Sequence, residues 1–292
     1  MERIEFKEYS ANPEARFSIV IPTWNNLSYV RLCVDSIRKN SRYPHQIILH
    51  INEGSEGTRE WAEEQQLDHT RSAKNVGICY AVNAAATLVK TDYLVYMNDD
   101  MYVCPDWDHY LWEDISALAH SSFFISSTII EPKDTGNPCV IVSDGFGDSI
   151  ENFQEEALRK QCMDFPKADW QGGTWPPNII PKKLWELVGG YSVEFSPGMY
   201  SDPDFSMKLW QAGVRLFKGC GKSRVFHFMC KSTGRVVKND GRRQFREKWG
   251  IPSSKFTQYY LNIGTPFSGP LSEPKETLAL KWARLRARLP FV

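Results

Sequence analysis

Residues 91–100 read TDYLVYMNDD, a short run of apolar, aromatic and β-branched residues that stops at an amide and two acids. A run of this length and composition reads as a buried strand rather than a helix. Two acids at the end of a buried strand are costly unless positive charge meets them. A divalent cation carrying a diphosphate is the natural partner. Mg²⁺ and Mn²⁺ take oxygen ligands and often bind through one or two carboxylates plus substrate phosphates. A solvated turn is the plainer account of Asp99 and Asp100, and for two adjacent acids taken alone it is the stronger one.

Working upstream, FSIVIP (17–22) and QIILHI (46–51) are two more short apolar runs, each predicting a strand. Between them LSYVRLCVDSIRKN (27–40) places Leu27, Val30, Val34 and Ile37 at helical spacing, with Asn26 or Ser28 able to cap. SEGTREWAEEQQL (55–67) reads as a polar surface helix, HTRSA (69–73) follows as a short segment, and GICYAVNAAATLVK (77–90) reads as an alanine-rich helix. Strands that alternate with helices through short connections predict a parallel sheet wrapped by helices. The strand runs are apolar at consecutive positions, which suits burial on both faces. Ligands of such sheets gather beyond the carboxyl ends of the strands. The polar clusters Thr23–Asn26, Asn52–Ser55 and Asn98–Asp100 stand at those ends.

Downstream, FFISSTII (123–130) predicts a strand, and the stretch 133–169 carries no clear period. WQGGTWPPNIIPKKLWELVGGY (170–191) is dense in Trp, Gly and Pro. DFSMKLWQAG (204–213) reads as a helix stopped by Gly213. VRLFKG (214–219) and SRVFHF (223–228) read as two short strands. The fold class expected is α/β, a mostly parallel sheet flanked by helices, with a C-terminal helical extension. The division expected is an N-terminal tail (1–15), a catalytic domain (16–235) and a basic, amphipathic extension (236–292).

Other residues carry possible chemistry. Asp202 and Asp204 open a helix, where capping explains one acid easily and two less well. A carboxylate at the mouth of a sheet can instead take a proton from an attacking hydroxyl. His227 lies between aromatics and by itself reads as a packed core residue more readily than as a ligand. Ten basic residues run from Lys218 to Lys248, opposed by Asp240 and Glu247. They form either a solvated face or a phosphate-neutralising one. The whole chain has 35 basic and 35 acidic residues and no nucleic-acid motif, so no nucleic-acid partner is expected. Seven cysteines without a C-x-x-C pair predict reduced, buried thiols. The charged N-terminus lacks an apolar core, and no run approaches the roughly 20 apolar residues of a membrane span. A cytoplasmic location follows as the expectation. In the tail, Leu278, Trp282, Leu285 and Leu289 share a helical face beside Lys281, Arg284, Arg286 and Arg288. That face suits either a membrane interface or docking on protein.

In order and spacing these segments resemble family 2 glycosyltransferases of the GT-A fold, over about residues 16–235. FSIVIPTWNN resembles the opening strand and Pro-Thr-aromatic-Asn turn. IILHINEGSEGT is similar to the second strand and its turn, and KNVGICYAVNAAATLVKTDYLVYMNDD to the Asn-x-Gly helix leading into the D-x-D strand. LVGGYSVEFSPGMYSDPDFSMKLWQAG resembles the segment that carries the catalytic acid pair. VFHF sits where the family often has a metal-binding histidine. The resemblance implies an enzyme that transfers a sugar from a nucleotide-diphosphate donor, a UDP-sugar above all, to a hydroxyl of a glycan or lipid-linked acceptor. Mn²⁺ or Mg²⁺ would assist, with inversion in a single displacement. Pro22, Thr23, Asn25, Asn52, Glu53, Lys74, Asn75, Gly77, Asn98 and Asp99 would bind the donor nucleotide. Asp100 and His227 would hold the metal, and Asp202 would be the base. Gly173, beside Gly172, would lie with Trp175 and Asp204 where donor sugar and acceptor meet. Two positions depart from the family pattern. The turn after the second strand reads Asn52-Glu53-Gly54-Ser55, where the family usually has an aspartate, and the first D of D-x-D is Asn98. A nucleotidyltransferase would share the sheet but usually has a Gly-rich loop where this chain has PTWNN. A non-catalytic nucleotide-sugar or glycan-binding domain would have no need of Asp202.

Overall fold

The consecutive apolar runs become strands buried on both sides. The computed structural model describes residues 3–9, 12–229 and 236–287, and its strands form one 11-stranded sheet. They are β1 (Ile4–Lys7), β2 (Ser18–Trp24), β3 (Gln46–Asn52), β4 (Asp68–Ser72), β5 (Tyr93–Tyr96), β6 (Met101–Val103), β7 (Phe123–Glu131), β8 (Ile141–Val142), β9 (Trp170–Gln171), β10 (Asn178–Pro181) and β11 (Leu216–His227). The order is β1-β4-β3-β2-β5-β10-β7-β11-β6, with β8 on β7 and β9 on β11. The block β4-β3-β2-β5 is parallel, as is the β7–β11 pair. β10 enters antiparallel between β5 and β7, and β6 runs antiparallel to the end of β11. The class is therefore α/β with a large central sheet, parallel through β4-β3-β2-β5, edged by the antiparallel β1, and mixed beyond β5.

Ten α-helices flank the sheet among the described residues. They are α1 (Leu27–Asn40), α2 (Thr58–Glu64), α3 (Ile78–Ala86), α4 (Trp107–Ser116), α5 (Glu155–Gln161), α6 (Lys182–Val188), α7 (Ser201–Gln211), α8 (Gly241–Trp249), α9 (Ser253–Tyr259) and α10 (Leu278–Ala287). Alternation along β2 shows how the two faces fill. Ile19 and Ile21 pack with Val30, Val34 and Trp107 on one face, while Val20 packs with Ile48, Val82 and Leu94 on the other. A third apolar cluster joins Tyr102, Ile130 and Phe226 to Phe146 and Leu158. The unperiodic stretch 133–169 thus contributes to the core beside the carboxyl end of β7.

Several elements differ from the reading above. The short segment HTRSA falls largely in a strand: Asp68–Ser72 is β4, paired with β3 and with β1 from the stretch read as a tail. VRLFKG and SRVFHF are one strand, β11, whose register on β7 shifts between Cys220 and Arg224. Glycine makes that continuity possible. A Cβ on Gly219 would enter the Trp170 ring, and one on Gly221 would strike the Lys167 carbonyl. The extension from residue 236 shares the core, since Phe245, Phe256, Leu261 and Leu280 pack with Phe205 and Phe217. Six cysteines are buried free thiols, as read; Cys230 lies outside the described residues. No described helix is long and apolar enough to cross a membrane.

Candidate active site

Three strand ends converge. β2 and β3 each run into a residue with positive φ, Asn25 (45°) and Glu53 (63°). The two turns are tied together, because Asn25 Nδ2 donates to Glu53 Oε2 at 3.0 Å and Asn25 Oδ1 accepts from the Ser55 amide at 3.2 Å. Asn52, buried at the end of β3, braces the next loop. Its Oδ1 accepts from the Val76 amide at 2.9 Å and from Ser72 Oγ at 3.2 Å. Asn75 Oδ1 accepts from the Gly77 amide at 2.9 Å. Gly77 has φ 79°, and any Cβ there would lie 2.7 Å from Pro197 Cα, so only glycine fits.

These braces frame an open cleft. Pro22, Thr23, Asn52, Asn75, Gly77 and Asp99, all named from the sequence, line it together with Trp24, Ile78, Pro197 and Val236, which were not. Thr23 is only 2% exposed, and its hydroxyl has no hydrogen-bond partner among the described residues. A buried hydroxyl without a partner costs about 1–3 kcal/mol. One on a cleft wall is free to bond whatever enters. Lys74 is exposed and does not line the cleft; its carbonyl accepts from Ser72 Oγ at 2.7 Å.

Beside the cleft, the chain passes from β5 through Asn98–Asp100 directly into β6. β6 pairs Met101 with His227 on β11, and β11 pairs Phe226 with Ile130 on β7. That register brings three residues into a row. His227 Nε2 lies 3.4 Å from Asp100 Oδ1, and its Nδ1 lies 3.1 Å from Glu131 Oε1. Burial alone would lower the imidazole pKa, but the two carboxylates overcome it and raise it to about 10. Among the described residues no trio of His, Cys, Asp or Glu forms a ready-made metal cage. Glu131 was missed in the sequence, although a carboxylate ending an apolar run (FFISSTIIE) is the signal that singled out Asp100.

Asp202 stands at the start of α7, connected to the acid row by a pair of tyrosines. Tyr96 donates to Asn98 Oδ1 at 2.9 Å, and its ring meets that of Tyr191 edge-on at 5.7 Å. Tyr191 donates to Asp202 Oδ1 at 2.8 Å. Burial raises both phenols well above their ordinary value, so they remain donors. Burial also pushes the Asp202 carboxyl up to about 6, against the lowering effect of Tyr191. Asn178, which no sequence signal marked, pairs with Tyr96 across the sheet and shares its face. It is 3% exposed, and its Nδ2 has no partner among the described residues.

Other expected site residues are placed differently. Asp204 is fully buried, holding Trp249 Nε1 at 2.7 Å and Lys248 Nζ at 2.9 Å; it anchors α8 to α7 rather than facing the cleft. Gly173 lies where a Cβ would come within 3.0 Å of the Ser126 amide and strike the Lys218 carbonyl, so it serves backbone packing. Gly172 likewise packs against Leu261 and Ile263. Trp175 is half-buried just before β10, its carbonyl accepting from Ser126 Oγ at 2.8 Å. Much of the basic run is committed elsewhere. Lys218 pairs with Asp114 and Asp169, Arg224 donates to the carbonyls of Cys162 and Phe165, and Lys248 pairs with Glu194 and Asp204. Lys231 and Arg235 lie outside the described residues.

Comparison with known proteins bears on the sequence match and the fold. The family model for glycosyl transferase family 2 matches residues 18–159, from β2 through α5. A chondroitin synthase from Escherichia coli is 23% identical over 218 residues, 72% of this chain and 29% of that protein. This chain thus spans less than a third of that relative. Among solved structures, S. aureus TarS 1-349 in complex with UDP-GlcNAc aligns with TM-score 0.55 and 13% identity, over 80% of this chain and 65% of that one. GalNAc-T7 with UDP, GalNAc and Mn²⁺ aligns with TM-score 0.55 and 18% identity, over 79% and 45%. A mannosyltransferase from Pyrobaculum calidifontis in complex with GDP-Man and Mn²⁺ aligns with TM-score 0.51 and 17% identity, over 80% and 61%. At these identities the likeness to the solved structures is one of fold. The stretch 18–159, just under half of the chain, is thus similar to glycosyl transferase family 2, and the sheet has the GT-A fold of the solved glycosyltransferases.

Proposed function

We propose that the chain is an inverting glycosyltransferase that takes its sugar from a nucleotide-diphosphate donor, a UDP-sugar, and passes it to a hydroxyl of a glycan or lipid-linked saccharide. The observation that carries this reading is the cleft itself. Six residues expected to bind nucleotide line it, and one of them, Asp99, precedes the buried Asp100. The unpartnered Thr23 hydroxyl supports a polar ligand there. The chemistry of the ligand set supports Mn²⁺ or Mg²⁺, since Asp100 supplies a carboxylate and His227 an imidazole. UDP-GlcNAc in the TarS complex and GDP-Man in the Pyrobaculum calidifontis mannosyltransferase complex, the latter with Mn²⁺, are donors of the proposed class.

In this mechanism Pro22, Thr23, Asn52, Asn75 and Gly77 would hold the nucleotide, and Asp100 and His227 would hold the metal. When bound, the metal would neutralise charge on the leaving diphosphate. Asp202 accepts the proton of the acceptor hydroxyl as its oxygen attacks the anomeric carbon. The bond from that carbon to the diphosphate oxygen breaks on the opposite face. Tyr191 keeps the Asp202 carboxylate oriented. Calorimetric titration of UDP, GDP, dTDP and CDP, each with Mn²⁺ and with EDTA, tests the donor site. UDP is expected to bind only with metal. Binding of none of the four in either condition would move the non-catalytic reading to the front.

The membrane-facing side of the proposal rests on α10. It docks through Leu280 and Ala287 and turns Leu278, Trp282 and Leu285 outward, with Lys281 and Arg286 exposed on either side. Arg284 instead pairs with Glu276 and Tyr260; Arg288 and Leu289 lie outside the described residues. An apolar strip rimmed by cations fits an anionic lipid surface, where a lipid-linked acceptor would lie. The protein is expected to float with phosphatidylglycerol vesicles and not with phosphatidylcholine alone. The exposed-face triple variant Leu278→Ser, Trp282→Ser, Leu285→Ser is expected to stay at the bottom of the gradient. Equal flotation of variant and wild type would remove this role from α10.

A further inference from the structure

Glu131 ends β7 beside His227. Its carboxylate is 7% exposed and meets the imidazole Nδ1 at 3.1 Å, with Thr135 Oγ1 at 3.4 Å from its other oxygen. No Lys or Arg among the described residues pairs with it, and those two side chains are its partners there. A carboxylate this deeply buried needs a partner for its charge, and here that partner is the His227 imidazole rather than a Lys or Arg. What it faces is the ring whose other nitrogen points at Asp100, 3.4 Å away. Strand register sets this arrangement: β11 holds His227, β7 holds Glu131, and Asp100 is the residue just before β6, whose Met101 pairs with His227.

We infer that Glu131 is a positioning residue for the metal site, accepting the Nδ1 proton of His227 so that Nε2 presents its lone pair on the Asp100 side. This deepens the proposed reading and rests on it. An imidazole that binds a cation through Nε2 keeps a single proton, on Nδ1. A carboxylate on that proton fixes the tautomer, holds the ring plane and raises the basicity of the ligating nitrogen. The rigidity matters because His227 is the last residue of β11 and would otherwise keep its side-chain freedom. Loss of such an outer partner elsewhere costs about 10–100-fold in metal affinity.

The test is Mn²⁺ affinity of the full chain in the presence of UDP, read by electron paramagnetic resonance of free Mn²⁺. It would compare wild type, Glu131→Gln and Glu131→Ala, with thermal melting as a folding control. Glu131→Ala is expected to bind Mn²⁺ about 10–100-fold more weakly. Glu131→Gln should recover most of that loss, because its amide oxygen still accepts from Nδ1. A second readout is the ¹⁵N spectrum of the His227 ring with Mg²⁺ and UDP. It should show the Nδ1–H form in wild type and Glu131→Gln, and a mixed or reversed form in Glu131→Ala. Undiminished Mn²⁺ affinity in Glu131→Ala overturns the inference while leaving the donor site intact. A Glu131→Gln variant as weak as Glu131→Ala also overturns it, by making Glu131 a direct ligand or charge partner. Wild type that takes up no Mn²⁺ even with UDP overturns the metal reading, and this role with it.

Discussion

Asp202→Asn is expected to lower kcat by about 10²–10⁴-fold, the usual contribution of a positioned general base, while nucleotide binding stays nearly unchanged. The substitution is close to isosteric, and the amide oxygen can still accept from the Tyr191 hydroxyl, so the start of α7 should not move. What disappears is the capacity to take a proton. The wild-type pH profile carries the same signature. Burial disfavours the charged carboxyl and raises its pKa to about 6, so the base is ionised above that pH. The value of kcat/KM should therefore fall about tenfold per pH unit below 6 and level off above it. The sign for stability runs the other way. A carboxyl whose folded pKa is above its unfolded one binds its proton more tightly in the native state. Its destabilising effect is absent at low pH, grows as pH rises from the unfolded value towards 6, and is complete above. Asp202→Asn should thus raise Tm slightly at pH 7.5 and not at pH 3.5. Steady-state kinetics, calorimetry and melting curves check the set; equal loss of transfer and donor binding would sink the assignment of Asp202 as base.

Asp100→Ala should remove metal-dependent nucleotide binding and lower transfer by about 10³-fold, in line with the several kcal/mol that a bound divalent ion supplies to a leaving group. Asp100 is 6% exposed, and its carboxylate sits 3.4 Å from His227 Nε2. Asp99 lines the cleft from the adjacent position. The fold should survive. The Asp100 carbonyl keeps its bond from the Phe228 amide, and Glu131 remains to hold the imidazole. EDTA on the wild type should reproduce the loss, and Mn²⁺ should restore the wild type but not the variant. An Asp100→Ala protein that still binds UDP more tightly with Mn²⁺ than with EDTA would exclude Asp100 from the metal site.

The two faces of the sheet were legible because periodicity is local. Consecutive apolar residues in SIVI and QIILHI need burial on both sides wherever they fall, and α1 fits its predicted bounds, Leu27–Asn40. The continuity of β11 was not legible. Cys220–Lys222 carry no strand signal, and only the close approach of Trp170 and Lys167 explains why Gly219 and Gly221 stand there. The tail was half legible. Its helix and apolar residues read correctly, but which face docks depends on Leu280 meeting the core shared by α7 and α9.

The same division holds for the site. Sequence alone determined the chemical inventory: acids at the end of a buried strand, an acid pair opening a helix, and a histidine within a strand. Those follow from residue type and local period. Tertiary structure decided which of them act together. Asp202 and Asp204 look equivalent two residues apart, yet helical geometry turns one towards Tyr191 and the other into a fully buried contact with Trp249 and Lys248. Glu131 and His227 are 96 residues apart and meet only because β7 and β11 pair in parallel register. Contacts at such separation are set by strand order and register, and no local pattern in the chain encodes either.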